Sequence, residues 1–157
     1  MLFFRALVAF MALPMIVAGL LPAVLTRNDR WRIEGTLLGW PVLVSGVCVL
    51  LWCVRDFCVL GKGTLAPWDP PKRLVIVGLY RFTRNPMYVG VLGVVAGWTL
   101  CTGSPLLAAY TGVLALCFHL RVIFYEEPTL ARQFTTEWAH YCARVNRWLP
   151  RLPKEPD

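Results

Sequence analysis

Two short stretches of this chain concentrate side chains that handle charge. Gly78–Gly90 holds Tyr80, Arg84, Asn85, Pro86 and Tyr88, and His119–Pro128 holds His119, Arg121, Glu126 and Glu127. In the first, Asn85 is a favoured helix N-cap and Pro86 suits the first helical position. A helix starting there directs the free amides near Met87 and Tyr88, and the positive end of its dipole, toward the space beside Arg84. That space attracts an anion such as a carboxylate. Arg84 equally suits the plain boundary of an apolar run, with Asn85-Pro86 only opening the helix. In the second stretch, Glu126 and Glu127 close an apolar run, where carboxylates oppose the helix dipole. They call for a cation, either an Arg or Lys of the middle loop or a cationic ligand.

The elements that carry these residues follow from the uncharged runs. Ala6–Leu25 and Gly35–Val54 have no charge over 20 residues each, and Asn85–Phe118 has none over 34. About 20 apolar residues span the ~30 Å hydrocarbon core, so each of the first two runs crosses once. The third is broken by Cys101-Thr102-Gly103-Ser104-Pro105, a turn-like cluster, and reads as a hairpin of two spans. The first run is long for a signal peptide and lacks a small-x-small cleavage site before Thr26, so it reads as an uncleaved span.

The expectation is therefore an all-α polytopic integral membrane protein, one domain over residues 1–157. It has about four transmembrane helices near 3–25, 35–60, 86–100 and 105–125, plus a short interfacial helix over 128–143. Pro14 and Pro22 are expected kinks in the first span. Arg55 and Asp56 close the second span, as a functional contact or as charges reaching for water. Gly61–Arg84, rich in glycine and proline, is the polar middle loop.

Hydrophobic residues make up 57% of the chain and charged ones 16%, too apolar for a soluble domain of this size. The net charge of +7 does not signal nucleic acid, because the cations border apolar spans instead of forming one stripe. With an even span count, Arg5, Lys62, Lys72, Arg73, Arg81, Arg84 and the tail cations share one side, which the positive-inside rule makes cytoplasmic. Arg27, Arg30 and Arg32 oppose that bias. The six cysteines form no C-x-x-C pair and read as small packing residues.

Folding the hairpin about Gly103 sets Asn85 level with Arg121, each 18 residues from the turn, and Tyr80 level with Glu126. Packed helix axes lie ~8–10 Å apart. The anion-attracting start of the third span and the cation-attracting end of the fourth then share one pocket at one membrane face. A zwitterionic sulfonium compound would use both. Its carboxylate meets Arg84 and the helix start, its ammonium or ribose hydroxyls meet Glu126 or Glu127, and Tyr80 and Tyr88 offer aromatic faces to the positive sulfur.

Gly78-Leu79-Tyr80, Arg84-Asn85-Pro86-Met87-Tyr88-Val89-Gly90, Glu126-Glu127, Trp138-Ala139-His140-Tyr141 and Trp148-Leu149-Pro150 occur in that order. With Gly63-Thr64-Leu65-Ala66-Pro67 and Pro70-Pro71, they resemble the isoprenylcysteine carboxyl methyltransferases and the related phospholipid methyltransferases. The resemblance covers about 61–150, so residues 1–60 supply two spans and 61–150 the cofactor-binding part. It implies S-adenosyl-L-methionine as cofactor, a pocket of the last two spans, middle loop and C-terminal helix, and a lipid-side entrance for an apolar acceptor. The chain departs from the family pattern at Asn85, a histidine in many members, at Trp138, a tyrosine, and at Thr135-Thr136, where glycine is common.

Methyl transfer from a sulfonium is an in-line displacement that needs positioning more than a nucleophile or metal, and proximity alone is worth ~7–11 kcal/mol. No metal is expected. The expected cofactor-binding set is Tyr80, Arg84, Asn85, Pro86, Tyr88, His119 and Glu127, and the expected catalytic pair is Arg121 and Glu126. Arg121 would hold an anionic acceptor group or pair with Glu126. For an amine acceptor, Glu126 or His119 would serve as base, while His119 also reads as a packed, hydrogen-bonded helix residue. The partners are the bilayer and a lipid-like acceptor, with no nucleic acid. Gly90, Gly93 and Gly97 read as helix-packing residues. The competing readings are a sterol-reductase-like NADPH enzyme, which Trp138-Ala139-His140-Tyr141-Cys142 resembles, and a non-catalytic membrane adaptor.

Overall fold

The computed structural model describes residues 14–60, 74 and 76–150, with the side chains of 57–60 set aside. Among the described residues it is all helical, with one isolated backbone bridge between Thr83 and Asn146. The order is a π turn at Ile16–Leu20 leading into α1 (Leu21–Asn28), α2 (Gly39–Leu60), a 3-10 turn at Gly78–Arg81, α3 (Pro86–Thr102), α4 (Pro105–Arg121), a second π turn at Val122–Glu126, and α5 (Glu127–Arg144). Arg5, the start of the first span, and the Gly61–Pro71, Lys72 and Arg73 part of the middle loop lie outside the described residues.

The helices lean on one another through glycine. A methyl at Gly97 would lie 2.5 Å from the Leu43 nitrogen, and one at Gly46 2.5 Å from the Val94 nitrogen. Gly90, Gly93 and Gly97 are thus packing residues, and α2 and α3 lie backbone to backbone. Against them α4 and the first helix close an apolar core of Ala18, Val91, Val94, Val95 and Leu107. The hairpin turns at Gly103, whose φ of +59° is left-handed and natural to glycine. Ser104 caps α4 by accepting from the Leu107 amide at 3.1 Å. The loop before α2 docks on this turn, with Ile33 N donating to Gly103 O at 3.0 Å and Thr36 N to Leu100 O at 2.8 Å.

Two helices, Gly39–Asp56 and Pro105–Arg144, are long and apolar enough to cross a membrane, and only 22% and 17% of their apolar windows are buried inside the protein. Large apolar residues such as Leu51, Val113, Leu116 and Phe124 point outward. Of the other two expected spans, α3 has 17 residues, about 25 Å of helix, and the described part of the first is Ile16–Asn28.

The expected break between the fourth span and the C-terminal helix is absent. The chain runs helically from α4 through Val122–Glu126 into α5, and bends later, at Thr135 (φ 20°, ψ −89°), near the position where glycine was expected. The reason lies in Pro128. Its ring would strike the carbonyl four residues back in a tight α-turn, and it brings no N–H. Widening the preceding turn to π geometry, in which the Glu127 amide bonds to Val122 O, removes the clash. The same arrangement precedes Pro22, where the Leu21 amide bonds to Ile16 O. The expected kink at Pro22 therefore takes the form of a π turn.

Candidate functional site

At the end of the bundle opposite Gly103, the start of α3 meets the end of α4, the second π turn and the residues beyond α5. Asn85 holds the N-cap position, but its side chain does not cap the helix. Its Nδ2 donates to Arg147 O at 3.1 Å. This corrects the expected cap: the Asn85 side chain offers no acceptor to the first-turn amides of α3. Pro86 is fully buried at that start. Arg84 is anchored by its own amide, which donates to Asn146 O at 2.9 Å, and its guanidinium lies over the Trp138 ring at 5.6 Å.

The paired glutamates divide the work because consecutive helical residues point about 100° apart. Glu127 is held by two arginines. Arg147 donates from Nε and Nη2 at 2.8 Å each, and Arg84 Nη1 stands 3.1 Å from Oε1. Two hydrogen bonds and one ion-pair contact thus occupy a carboxylate that accommodates about four donors. Hydrogen bonding to Glu127 holds the Arg147 guanidinium above its ordinary, already high value. Among the described residues Arg84 keeps one buried donor, Nε, without a partner. Two cations on one anion leave this corner net positive beside an uncapped helix start.

Glu126 faces the other way. Its Oε1 accepts from the Tyr88 hydroxyl and from Arg121 Nε at 2.9 Å, and Arg121 Nε also donates to the Tyr88 oxygen at 3.1 Å. Arg121 and Glu126, the expected catalytic pair, are therefore in direct contact, with Tyr88 as third member. Tyr80 sits on the Gly78–Arg81 turn. Its carbonyl accepts from the Tyr141 hydroxyl at 2.7 Å, and burial pushes its own hydroxyl well above the ordinary phenol range, with Glu126 and Tyr88 adding to the push.

His119 differs from a base in waiting. Its Nδ1 accepts from the Trp148 indole N–H at 3.1 Å. An indole only donates, so Nδ1 carries no proton in this arrangement and the tautomer presents Nε2–H. The ring also lies 6.0 Å from the Trp148 ring, while Tyr88 stacks at 4.5 Å on Phe118. His119 is thus hydrogen-bonded to, and packed beside, Trp148.

The sequence reading missed Arg147 and the backbone role of the segment around it. Arg84, at the end of the middle loop, is one expected cationic partner of the glutamates, whereas the second, Arg147, comes from beyond α5. The single Thr83 hydroxyl proton is shared between the carbonyls of Arg147 and Trp148, each 3.1 Å from Oγ1, which straps this segment to the approach of α3. The signal available was the pair of arginines at and just beyond the end of the C-terminal helix, Arg144 and Arg147.

No curated protein and no solved structure matches the chain. The family described as phospholipid methyltransferase matches residues 35–137, from just before α2 into α5. That stretch holds Arg84, Tyr88, Arg121, Glu126 and Glu127, stops short of Arg147 and Trp148, and leaves out α1. It is about two thirds of the 157 residues, and with two helices apolar enough to cross a membrane it makes this a membrane protein of the phospholipid methyltransferase family.

Proposed function

We propose that the protein is an S-adenosylmethionine-dependent methyltransferase that works on a lipid-like amphiphile at the cytoplasmic face of a bilayer. In this reading the first helix, α2, α3 and α4 are four spans, and the arginine-rich end lies on the cytoplasmic side, where Lys and Arg are favoured. The observation that carries the reading is the opposition of two charge environments at one end of the α3–α4 hairpin. One is the net-positive corner of Arg84, Arg147 and the uncapped start of α3, and the other is the charge-balanced Glu126–Arg121 pair with Tyr88.

The residues present fit the cofactor's charge pattern. The orphan Arg84 Nε–H and the first-turn amides of α3 suit a carboxylate. Glu127, with acceptor capacity nearly filled, suits one further hydroxyl or ammonium donor. Tyr80 and Tyr88 supply aromatic faces for a positive sulfur. When bound, the cofactor supplies a methyl group on a sulfonium. The chain's own task is to hold the acceptor in line and keep water out, with Arg121 and Glu126 steering the acceptor's polar end.

Isothermal titration of the detergent-solubilised protein tests this. S-adenosylhomocysteine binds the wild type, and Arg84→Ala and Glu127→Gln each weaken it. Unchanged affinity in both variants would remove the pocket, and binding of NADPH in its place would favour the reductase reading.

A further inference from the structure

The three arginines that oppose the charge bias of the chain lie at the far end of the bundle from Arg84 and Glu127, where α1 passes into α2 over the Gly103 turn. The loop they stand on is tied down. Besides the backbone bonds of Ile33 and Thr36 to that turn, the Asp29 carboxylate accepts from Ser104 and from the Trp31 and Leu106 amides. Asp29 is thus engaged by the protein itself, and the pull of Arg32 on it ranks behind those bonds.

Arg27, Arg30 and Arg32 are all exposed, and Glu34 is the one exposed acid of the loop. Arg27 stands in the last turn of α1, where the helix dipole already favours a cation. Arg30 and Arg32 have no such use. Among the described residues the ion pairs belong to Glu126 and Glu127, and none includes an arginine of this loop. Between and beyond the arginines stand large apolar side chains open to the outside. Trp31 is 81% and Leu37 83% exposed, with Ile33 and Leu38 close behind.

Water is a poor medium for those apolar groups, and hydrocarbon is a poor one for guanidinium. The headgroup layer of a bilayer accepts both. Tryptophan is favoured at that depth, and a guanidinium meets a lipid phosphate in a two-pronged, charge-assisted contact. The loop is also at the right level, because it leads directly into Gly39–Asp56, a helix long and apolar enough to cross a membrane. We infer that residues 27–38 form a docking surface for anionic phospholipid headgroups, at the end of the bundle away from the charged cluster of Arg84 and Glu127. Lipid phosphates take Arg30 and Arg32, Arg27 adds to the attraction, and Trp31 and Leu37 enter the acyl boundary. The contact compensates three cations on the disfavoured side and, through Gly103, sets the depth of the α3–α4 hairpin. It stands apart from whatever reaction the other end performs.

The test uses the full chain in phosphatidylcholine nanodiscs into which brominated phosphatidylcholine or brominated phosphatidylglycerol is titrated. Bromine quenches nearby indoles, and the chain has seven tryptophans, so the Trp31 signal is the difference between the wild type and Trp31→Phe. Brominated phosphatidylglycerol quenches Trp31 at a lower mole fraction than brominated phosphatidylcholine, by up to about fivefold for each arginine engaged. Arg27→Gln, Arg30→Gln and Arg32→Gln combined bring the two lipids to the same curve, and Glu34→Gln alone widens the gap. Equal quenching by both lipids in the wild type, or a preference that survives the triple substitution, overturns the inference. A Trp31 signal that neither lipid quenches overturns it too, since the loop then faces water or protein. A preference that inorganic phosphate abolishes at constant ionic strength overturns it in favour of a soluble anion.

Discussion

Glu127 and Arg147 form a two-pronged ion pair that closes the two ends of α5 onto each other, with both bonds at 2.8 Å. The fork of a guanidinium matches a carboxylate in plane, so the pair sets the orientation of Glu127 as well as its charge. Arg84 joins from the start of α3 at 3.1 Å. One carboxylate therefore couples the third helix, the C-terminal helix and the segment beyond it.

Arg147→Ala should lower stability by about 1.5–3 kcal/mol, the value of a hydrogen bond to a charged group. The lower half of that range is expected, because Arg84 remains on Glu127 and the Arg147 side chain is 34% exposed. Arg147→Lys keeps the charge but loses the fork and should fall between. Thermal unfolding in detergent orders the three proteins. An Arg147→Ala protein as stable as the wild type would show that the pair contributes nothing.

Tyr88→Phe removes a hydroxyl shared by Glu126 and Arg121, while the 2.9 Å pair between those two remains. Folding should be little changed. Turnover should fall by about tenfold, since loss of alignment at a reacting centre costs on the order of 10²-fold when complete. Parallel measurement of turnover and S-adenosylhomocysteine affinity checks this, and an equal loss in both would point to a binding role for the hydroxyl.

Two glycine substitutions should move in opposite directions. Gly97→Ala drives a methyl to 2.5 Å from the Leu43 backbone, and overpacking of this kind costs about 1–3 kcal/mol. Gly112 on α4 has nothing within 4 Å of the added methyl, so Gly112→Ala should stabilise by up to ~1 kcal/mol through helix propensity. Equal unfolding temperatures for the two variants would contradict the close α2–α3 contact.

The opposite end of the bundle should respond to acid. Ser104 donates to Asp29, whose carboxylate also accepts from the Trp31 and Leu106 amides. These bonds, that of Ser104 foremost, hold Asp29 below the ordinary carboxylate range. A depressed folded-state value contributes stability above the unfolded value, near pH 4, and loses it as pH falls through the lower value. Asp29→Asn should therefore flatten the acid side of the stability profile. Ser104→Ala should also lose the α4 cap, worth about 0.5–2 kcal/mol at any pH. Unfolding scans between pH 2 and 7 would separate the two.

What the sequence determined alone was the class and the pairing of the two motif stretches. Uncharged runs of bilayer length admit few arrangements, and a glycine-proline turn at their centre makes a hairpin that brings the two stretches to one end. The contacts do not follow the equal count, which pairs Asn85 with Arg121 and Tyr80 with Glu126: Arg121 meets Tyr88, and Arg84 meets Glu127. Only the tertiary structure decided which cation serves which carboxylate. Arg147 reaches Glu127 from 20 residues away because Thr83 and Asn85 grip the backbone of its segment, and no periodicity reports such a grip. The π turn before Pro128 was equally hidden, because the sequence displays the proline but not how the backbone absorbs it. Asp56 read as one half of a charge pair with Arg55, and its burial depends on a turn of bare backbone at Gly78 that arrives from a distant part of the chain.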